Sequence, residues 1–102
     1  MRTREDLSDI FHNTLGIPNV YFQPPTNMKI KYPCLVYKRV GYDELQADNT
    51  LYKVQNHYQL TWITKDPDSD MPLRLLKQFM MIRHASRFTS DNLYHDSFDL
   101  YF

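Results

Sequence analysis

The sequence predicts one domain over residues 1–102 with an α+β fold, in which an antiparallel β-sheet of about four to five strands carries two helices on one face. Three observations predict it. The chain has 102 residues, the usual size of one domain. Apolar and polar residues alternate over residues 51–64, which is the period of a strand. Two further segments, one before and one after this strand, carry apolar residues at helical spacing.

The first helix is predicted over residues 3–15. Thr3 can serve as its N-cap, because a hydroxyl oxygen there accepts a backbone N–H that has no partner within the helix. Gly16 suits the left-handed conformation that ends many helices. The apolar residues of this segment form one stripe: Leu7, Ile10, Phe11 and Leu15.

The second helix is predicted to begin after Ser69 or Asp70 and to end near Met81 or Ile82, with Pro72 in its first turn. Its helical spacing is carried by four residues: Leu73, Leu76, Phe79 and Met80. A short strand is predicted at 19–22.

Two strands at 34–42 and 51–64 are predicted to form a long hairpin, with the polar residues 41–50 as its loop. Fourteen residues of strand span roughly 45 Å, far more than the ~13 Å radius of gyration expected for such a domain. Part of the hairpin should therefore project from the body and need a neighbour. Strands at 84–89 and 94–102 are predicted to form a final hairpin.

Charge and cysteine content exclude several classes of protein. Lys plus Arg equals Asp plus Glu, at twelve each, so the chain has no general attraction for nucleic acid or for anionic membranes. One cysteine, Cys34, allows no internal disulfide and favours a reducing compartment. We expect neither a signal peptide nor a membrane helix, because no apolar run reaches ~20 residues.

Two arrangements of reactive side chains are considered. His84, His95 and Asp99, with Asp96 nearby, would give a metal site or a small enzyme if the final hairpin brought them together. The alternative is that strand histidines form hydrogen bonds or face solvent. Cys34 beside a histidine would be a nucleophile, but its apolar strand favours a buried thiol.

Two charged segments also allow two interpretations. Residues 66–70 resemble the start of a calcium loop but lack its Gly and distal Glu, so a turn followed by an N-cap is favoured. The second segment is a local basic set near the hairpin, which is either a solvated strand edge or a surface facing DNA or an acidic partner: Lys29, Lys31, Lys38, Arg39 and Lys53.

Four segments together resemble a family of phage proteins. They are residues 31–39 (KYPCLVYKR), 47–49 (ADN), 66–70 (DPDSD) and 90–102 (SDNLYHDSFDLYF). In their order, and in a chain of this length, they are similar to the tail terminator (tail completion) proteins encoded in the head–tail gene cluster of long-tailed bacteriophages and prophages. The match covers roughly the last two-thirds of the chain.

The resemblance implies a structural virion protein without catalysis or cofactor. Proteins of this family form a hexameric ring that caps the tail tube, joins it to the head connector and lets genomic DNA pass without sequence-specific binding. The resemblance implies location in the virion neck, and in the host cytoplasm during assembly. A head-closure or adaptor protein on the portal side is the alternative, and a small DNA-contacting module is a further one.

The projecting hairpin and the acidic turn supply the predicted contacts with other subunits or partners. A heterologous contact of this kind closes into a ring when its rotation permits. The predicted interface residues are Tyr42, Leu45, Asp48, Tyr52 and Asp66. Those predicted for the lumen or its rim are Lys29, Lys31 and Lys38.

Overall fold

The computed structural model of the chain describes residues 4–24, 29–47 and 50–102, and residues 42–47 and 50–55 by backbone alone. The fold is α+β, as the sequence predicts. Within these ranges five strands form one sheet in the order β1-β2-β3-β5-β4. The strands are β1 (Val20–Phe22), β2 (Cys34–Ala47), β3 (Thr50–Thr64), β4 (Ile82–Ser90) and β5 (Leu93–Tyr101). The helices are α1 (Arg4–Asp9), extended by a π-helical turn at Ile10–Thr14, and α2 (Met71–Gln78).

The sheet is mostly antiparallel but mixed. Strand β1 runs parallel to β2, with Val20 opposite Leu35 and Phe22 opposite Tyr37. All the other neighbouring strands are antiparallel. The predicted antiparallel sheet is confirmed for β2, β3, β4 and β5, and β1 adds one parallel pair at the edge, where Cys34 begins β2 beside the start of β1.

The first helix buries one face against the sheet. Leu7, Phe11 and Leu15 are all buried, at the spacing of four residues that the sequence shows. The last turn widens, since the Leu15 N–H donates to the Ile10 carbonyl oxygen at 3.0 Å. Gly16 then takes the predicted left-handed conformation, with φ of +69°. The predicted N-cap, Thr3, lies outside the described residues.

Replacing Gly16 with Ala is expected to lower the free energy of unfolding by about 1 kcal/mol. A Cβ at this position meets no atom within 4 Å, so the cost comes from backbone strain alone. Asn tolerates left-handed backbone, so Gly16→Asn is the matched control and should lose less. Urea unfolding followed by circular dichroism measures both. An Ala variant as stable as the original protein would contradict this account.

One face of the sheet carries both helices. Leu35 and Tyr37 of β2 lie opposite Trp62 and Leu60 of β3, and Leu60 lies opposite Phe98 of β5. These residues belong to one buried cluster with the helix residues Leu7, Phe11, Met71 and Leu75. We call this the helix face and the opposite one the open face. At about 25 cal/mol per Å² of apolar area, this cluster is the main source of stability in the described fold.

The second helix ends earlier than predicted and turns a different side to the core. It buries Met71 and Leu75, while Leu73 is 60% exposed and Met80 is fully exposed. Phe79 stays in the core as an extended residue after the helix. The predicted end near Met81 was wrong because the spacing of Leu73 and Met80 reflects an exposed side. The predicted start is right, since Asp70 is the N-cap residue.

The hairpin strands are longer than predicted. Paired backbone continues from Gly41 opposite His57 to Ala47 opposite Thr50. The predicted loop over residues 41–50 is therefore wrong for 41–47 and 50, and its turn signal at 48–49 lies outside the described residues. Neither described helix is long and apolar enough to span a membrane.

Candidate functional site

The far part of the hairpin projects beyond the rest of the sheet. Going along β3 toward the hairpin tip, Asn56 is the last position at which three chain segments lie side by side. Its N–H donates to the Phe102 carbonyl oxygen at 3.3 Å, and the Phe102 N–H donates to the Asn56 carbonyl oxygen at 3.0 Å. Beyond it, residues 43–47 pair with 50–55 and with no third strand among the described residues. We call residues 43–47 and 50–55 the extension. It is roughly 17 Å long at 3.3 Å per residue.

Most of the predicted interface residues lie in or beside this extension. Tyr42 pairs with Asn56 at its base, and Leu45 pairs with Lys53. Tyr52 lies at the register shift opposite Leu45 and Gln46, and Asp48 lies outside the described residues.

Asp66 lies at the other end of the molecule. It follows the end of β3 in an exposed turn, where its carboxylate accepts the Asp68 N–H at 2.9 Å and its backbone carbonyl accepts the Ser69 N–H at 3.4 Å. The turn predicted at residues 66–70 is therefore confirmed. The four predicted interface residues that the structure describes do not form one patch, since three lie at the hairpin and Asp66 lies beyond the opposite end of β3.

The lysines predicted for a lumen are exposed on or near the open face. The Lys31 N–H donates to the Tyr21 hydroxyl at 3.3 Å, and Tyr21 pairs with Val36 of the open face. Lys38 lies two residues further along β2, opposite Gln59. Lys29 is exposed in the same loop as Lys31. Arg39 instead lies on the helix-face side, where its guanidinium donates to the Tyr58 hydroxyl at 3.2 Å.

Two histidine–carboxylate pairs tie strands together across the sheet. On the open face, His57 Nε2 donates to Asp99 Oδ1 at 3.1 Å, and Arg83 lies 3.8 Å from the other oxygen. On the helix face, His84 Nε2 donates to Asp96 Oδ1 at 3.0 Å. Asp96 is only 3% exposed, and Arg87 Nε lies 3.9 Å from the same oxygen. The sequence groups Asp96 with His84 but does not predict the pairing of His57 with Asp99.

The residues considered for a metal or enzyme site do not come together. His84 pairs with Phe98 and faces the helices, whereas His95 and Asp99 belong to the open face. His95 stacks on Phe88 with ring centroids 4.6 Å apart. Among the side chains that the structure describes, in residues 4–24, 29–41 and 56–102, no three of His, Cys, Asp or Glu are close enough to hold one metal ion.

Cys34 is buried, as predicted, and burial raises the pKa of its thiol to about 11. The nucleophile of cysteine chemistry is the thiolate, so at pH 7.5 almost none of the reactive form is present. We expect iodoacetamide to leave Cys34 unmodified in the folded protein and to modify it fully in 6 M urea. Mass spectrometry of both samples checks this. Rapid modification of the folded protein would contradict the burial of Cys34.

Strand β4 is the feature that sequence reasoning did not select. It forms the last strand of the described sheet and, after Ile82, every one of its residues is exposed. Beside it lies a cavity of about 400 Å³. Its lining residues are Met80, Met81, Ile82, Arg83, Asp99 and Tyr101. The signal in the sequence is a strand with two arginines, no acidic residue and an apolar Phe88.

Comparison of the chain with protein-family models, with curated proteins and with solved structures finds no match.

Proposed function

We propose that this chain is a structural subunit of the neck of a long-tailed phage, similar to tail terminator proteins, and that it forms a ring on the end of the tail tube. In this role it joins the tube to the head connector. The observation that carries the proposal is the extension of the β2–β3 hairpin, which no third strand among the described residues pairs with.

An uncovered extension of this length needs a neighbour. A two-stranded hairpin is at best marginally stable in water, and a third strand or a packed surface is needed to hold it. The chain measures 50 × 27 × 25 Å with a radius of gyration of 14.6 Å, against ~13 Å for a domain of this size. An extended element that its own domain does not cover is typical of a subunit that completes its packing in an assembly.

The charges are compatible with a ring through which DNA passes. The chain has no net charge, so it lacks the concentrated positive charge on which tight DNA binding depends. Lys29, Lys31 and Lys38 are exposed near the open face and are the residues we propose for the lumen or its rim. Weak attraction at a few lysines permits passage, whereas tight binding would oppose it.

The proposal is tested with the full chain, alone and mixed with tubes assembled from the major tail protein of the same phage genome. Native mass spectrometry should give a closed oligomer, with six copies expected, and negative-stain imaging should show density on one end of each tube. A chain that ignores tubes and binds isolated portal complexes would replace the proposal with the head-closure role. Tight, salt-dependent binding to DNA fragments by a monomer would favour a DNA-contacting module.

A further inference from the structure

Two strand edges are open on opposite sides of the described sheet. Strand β4 is the last strand on one side, and its outer edge has no strand partner. On the other side, β1 pairs only with Leu35, Val36 and Tyr37 of β2. Residues 40–47 of β2 therefore pair with β3 on one side and with no described strand on the other. Each open edge presents backbone N–H and carbonyl groups over about the length of an ordinary strand.

The surroundings of β4 resemble a contact surface. Met80 is fully exposed, Met81 is 43% exposed and Phe88 is 48% exposed. Met80 and Met81 lead into β4 and line the cavity described above, and Phe88 lies within the strand. Exposed apolar side chains therefore lie at both ends of this strand, and a neighbour packed along it would cover them.

The two edges carry opposite charges. Strand β4 contains Arg83 and Arg87 and no acidic residue, whereas residues 40–47 contain Asp43 and Glu44 and no basic residue. Arg83 is 82% exposed at its side chain, so its charge is available at the surface. Opposite charges on neighbouring strands favour pairing, and like charges directly opposite each other disfavour it.

We propose that β4 of one copy pairs with residues 40–47 of β2 in a second copy, so that the sheet continues from subunit to subunit. The inference rests on the proposed ring and deepens it by naming the two surfaces that meet. Backbone hydrogen bonds supply the contact, as in other cases of strand addition. The extension gains a third strand, which no other described part of its own chain supplies.

Pairing of β4 with β4 is the main alternative between identical copies. It would give a two-fold dimer and bring the arginines of both strands together. The β4–β2 contact joins two different surfaces, so it can repeat around a ring until it closes.

Chemical cross-linking distinguishes these arrangements. Ala85 is exposed in β4, so Ala85→Cys is made in one preparation and Glu44→Cys in another. The two are mixed, treated with a short bis-maleimide and separated by denaturing electrophoresis. The mixture should give a cross-linked dimer and each variant alone only monomer. Wild-type protein checks that the buried Cys34 does not cross-link. A mixture in which Leu73→Cys, in α2, takes the place of Ala85→Cys checks that cross-linking depends on the position of the cysteine.

The outcomes separate this inference from the proposed function. Cross-linking of Ala85→Cys alone would overturn it in favour of β4–β4 pairing. A closed ring in native mass spectrometry with no cross-link in the mixture would overturn the strand contact and leave the ring in place. A protein that stays monomeric with and without tail tubes would remove both.

Charge reversal supplies a second test that needs no cross-linker. Arg83→Glu and Glu44→Arg should each weaken association between copies about fivefold, because each places like charges on the paired strands. Both changes in one chain should restore association to near the original value. Equal losses in the double and the single variants would contradict the contact. Circular dichroism of each variant confirms that it is folded.

Discussion

Replacing Phe11 with Ala should lower the free energy of unfolding by about 3–5 kcal/mol, the usual cost of removing a buried aromatic ring. Phe11 is completely buried. Its ring lies 5.3 Å from that of Tyr37 in β2 and 5.9 Å from that of Phe79 after α2, both in edge-on contact. One side chain therefore joins the first helix, the sheet and the segment after the second helix. Domains of this size are stable by only about 5–15 kcal/mol, so the variant is expected to be close to unfolding.

Urea unfolding at 25 °C measures this loss. The chain has one tryptophan, Trp62, which is buried in the same cluster, so its fluorescence and the far-ultraviolet circular dichroism should report the same transition. Leu73→Ala is the matched control, because Leu73 is exposed on α2 and its loss should change stability by at most about 0.5 kcal/mol. Equal stability of the two variants would mean that Phe11 is not in the core.

The parts of the fold that the sequence predicted are those in which packing imposes a period. Tyr58, Leu60 and Trp62 alternate with polar residues, and all three are buried on the helix face. Phe98 and Leu100 of β5 behave in the same way. A strand covered on one face must place apolar residues at every second position, so its sequence reveals both the strand and its buried face.

The β2 strand of the extension, residues 43–47, gave no such signal. Residues 43–47 have no third strand beside them, so the described chain imposes no alternation on their sequence. Polar residues around Asp48 and Asn49 then resemble a loop.

The parallel pairing of β1 was unpredictable for a different reason. It depends on where the chain re-enters the sheet at Cys34 and not on the residues of β1 itself.

Strand register separates the residues of the candidate metal or enzyme site, which the sequence did not reveal. His84 and His95 flank the final turn, and their spacing alone does not tell which face each one takes. The register shift between His84 and Ser86 changes which residues of β4 share a face. Its effect is to place His84 beside Asp96 and to leave His95 and Asp99 on the open face. A shift of one residue moves a side chain to the other face of a sheet, and nothing local in the sequence marks it.

Removing the extension should abolish association between copies and leave the domain folded. The change deletes residues 43–55 and joins Tyr42 to Asn56 through Asn-Gly, the dipeptide that suits a two-residue hairpin turn. Tyr42 and Asn56 are already paired, and the core residues lie on the other side of that pair. We expect a monomer by native mass spectrometry at every concentration tested, with no density on the ends of tail tubes.

A folded monomer is the decisive result, so the shortened chain must be shown to be folded. Its thermal unfolding, followed by Trp62 fluorescence, should remain cooperative, with a midpoint within about 5 °C of the original, since the shortened chain keeps every residue of the buried cluster that the structure describes. If the shortened chain does not fold, the full-length variant Asp43→Lys with Glu44→Lys replaces it and should also reduce association. A folded, shortened chain that still forms rings would show that the extension is not the contact between subunits, and the Asp66 turn at the opposite end of the molecule would become the first surface to test.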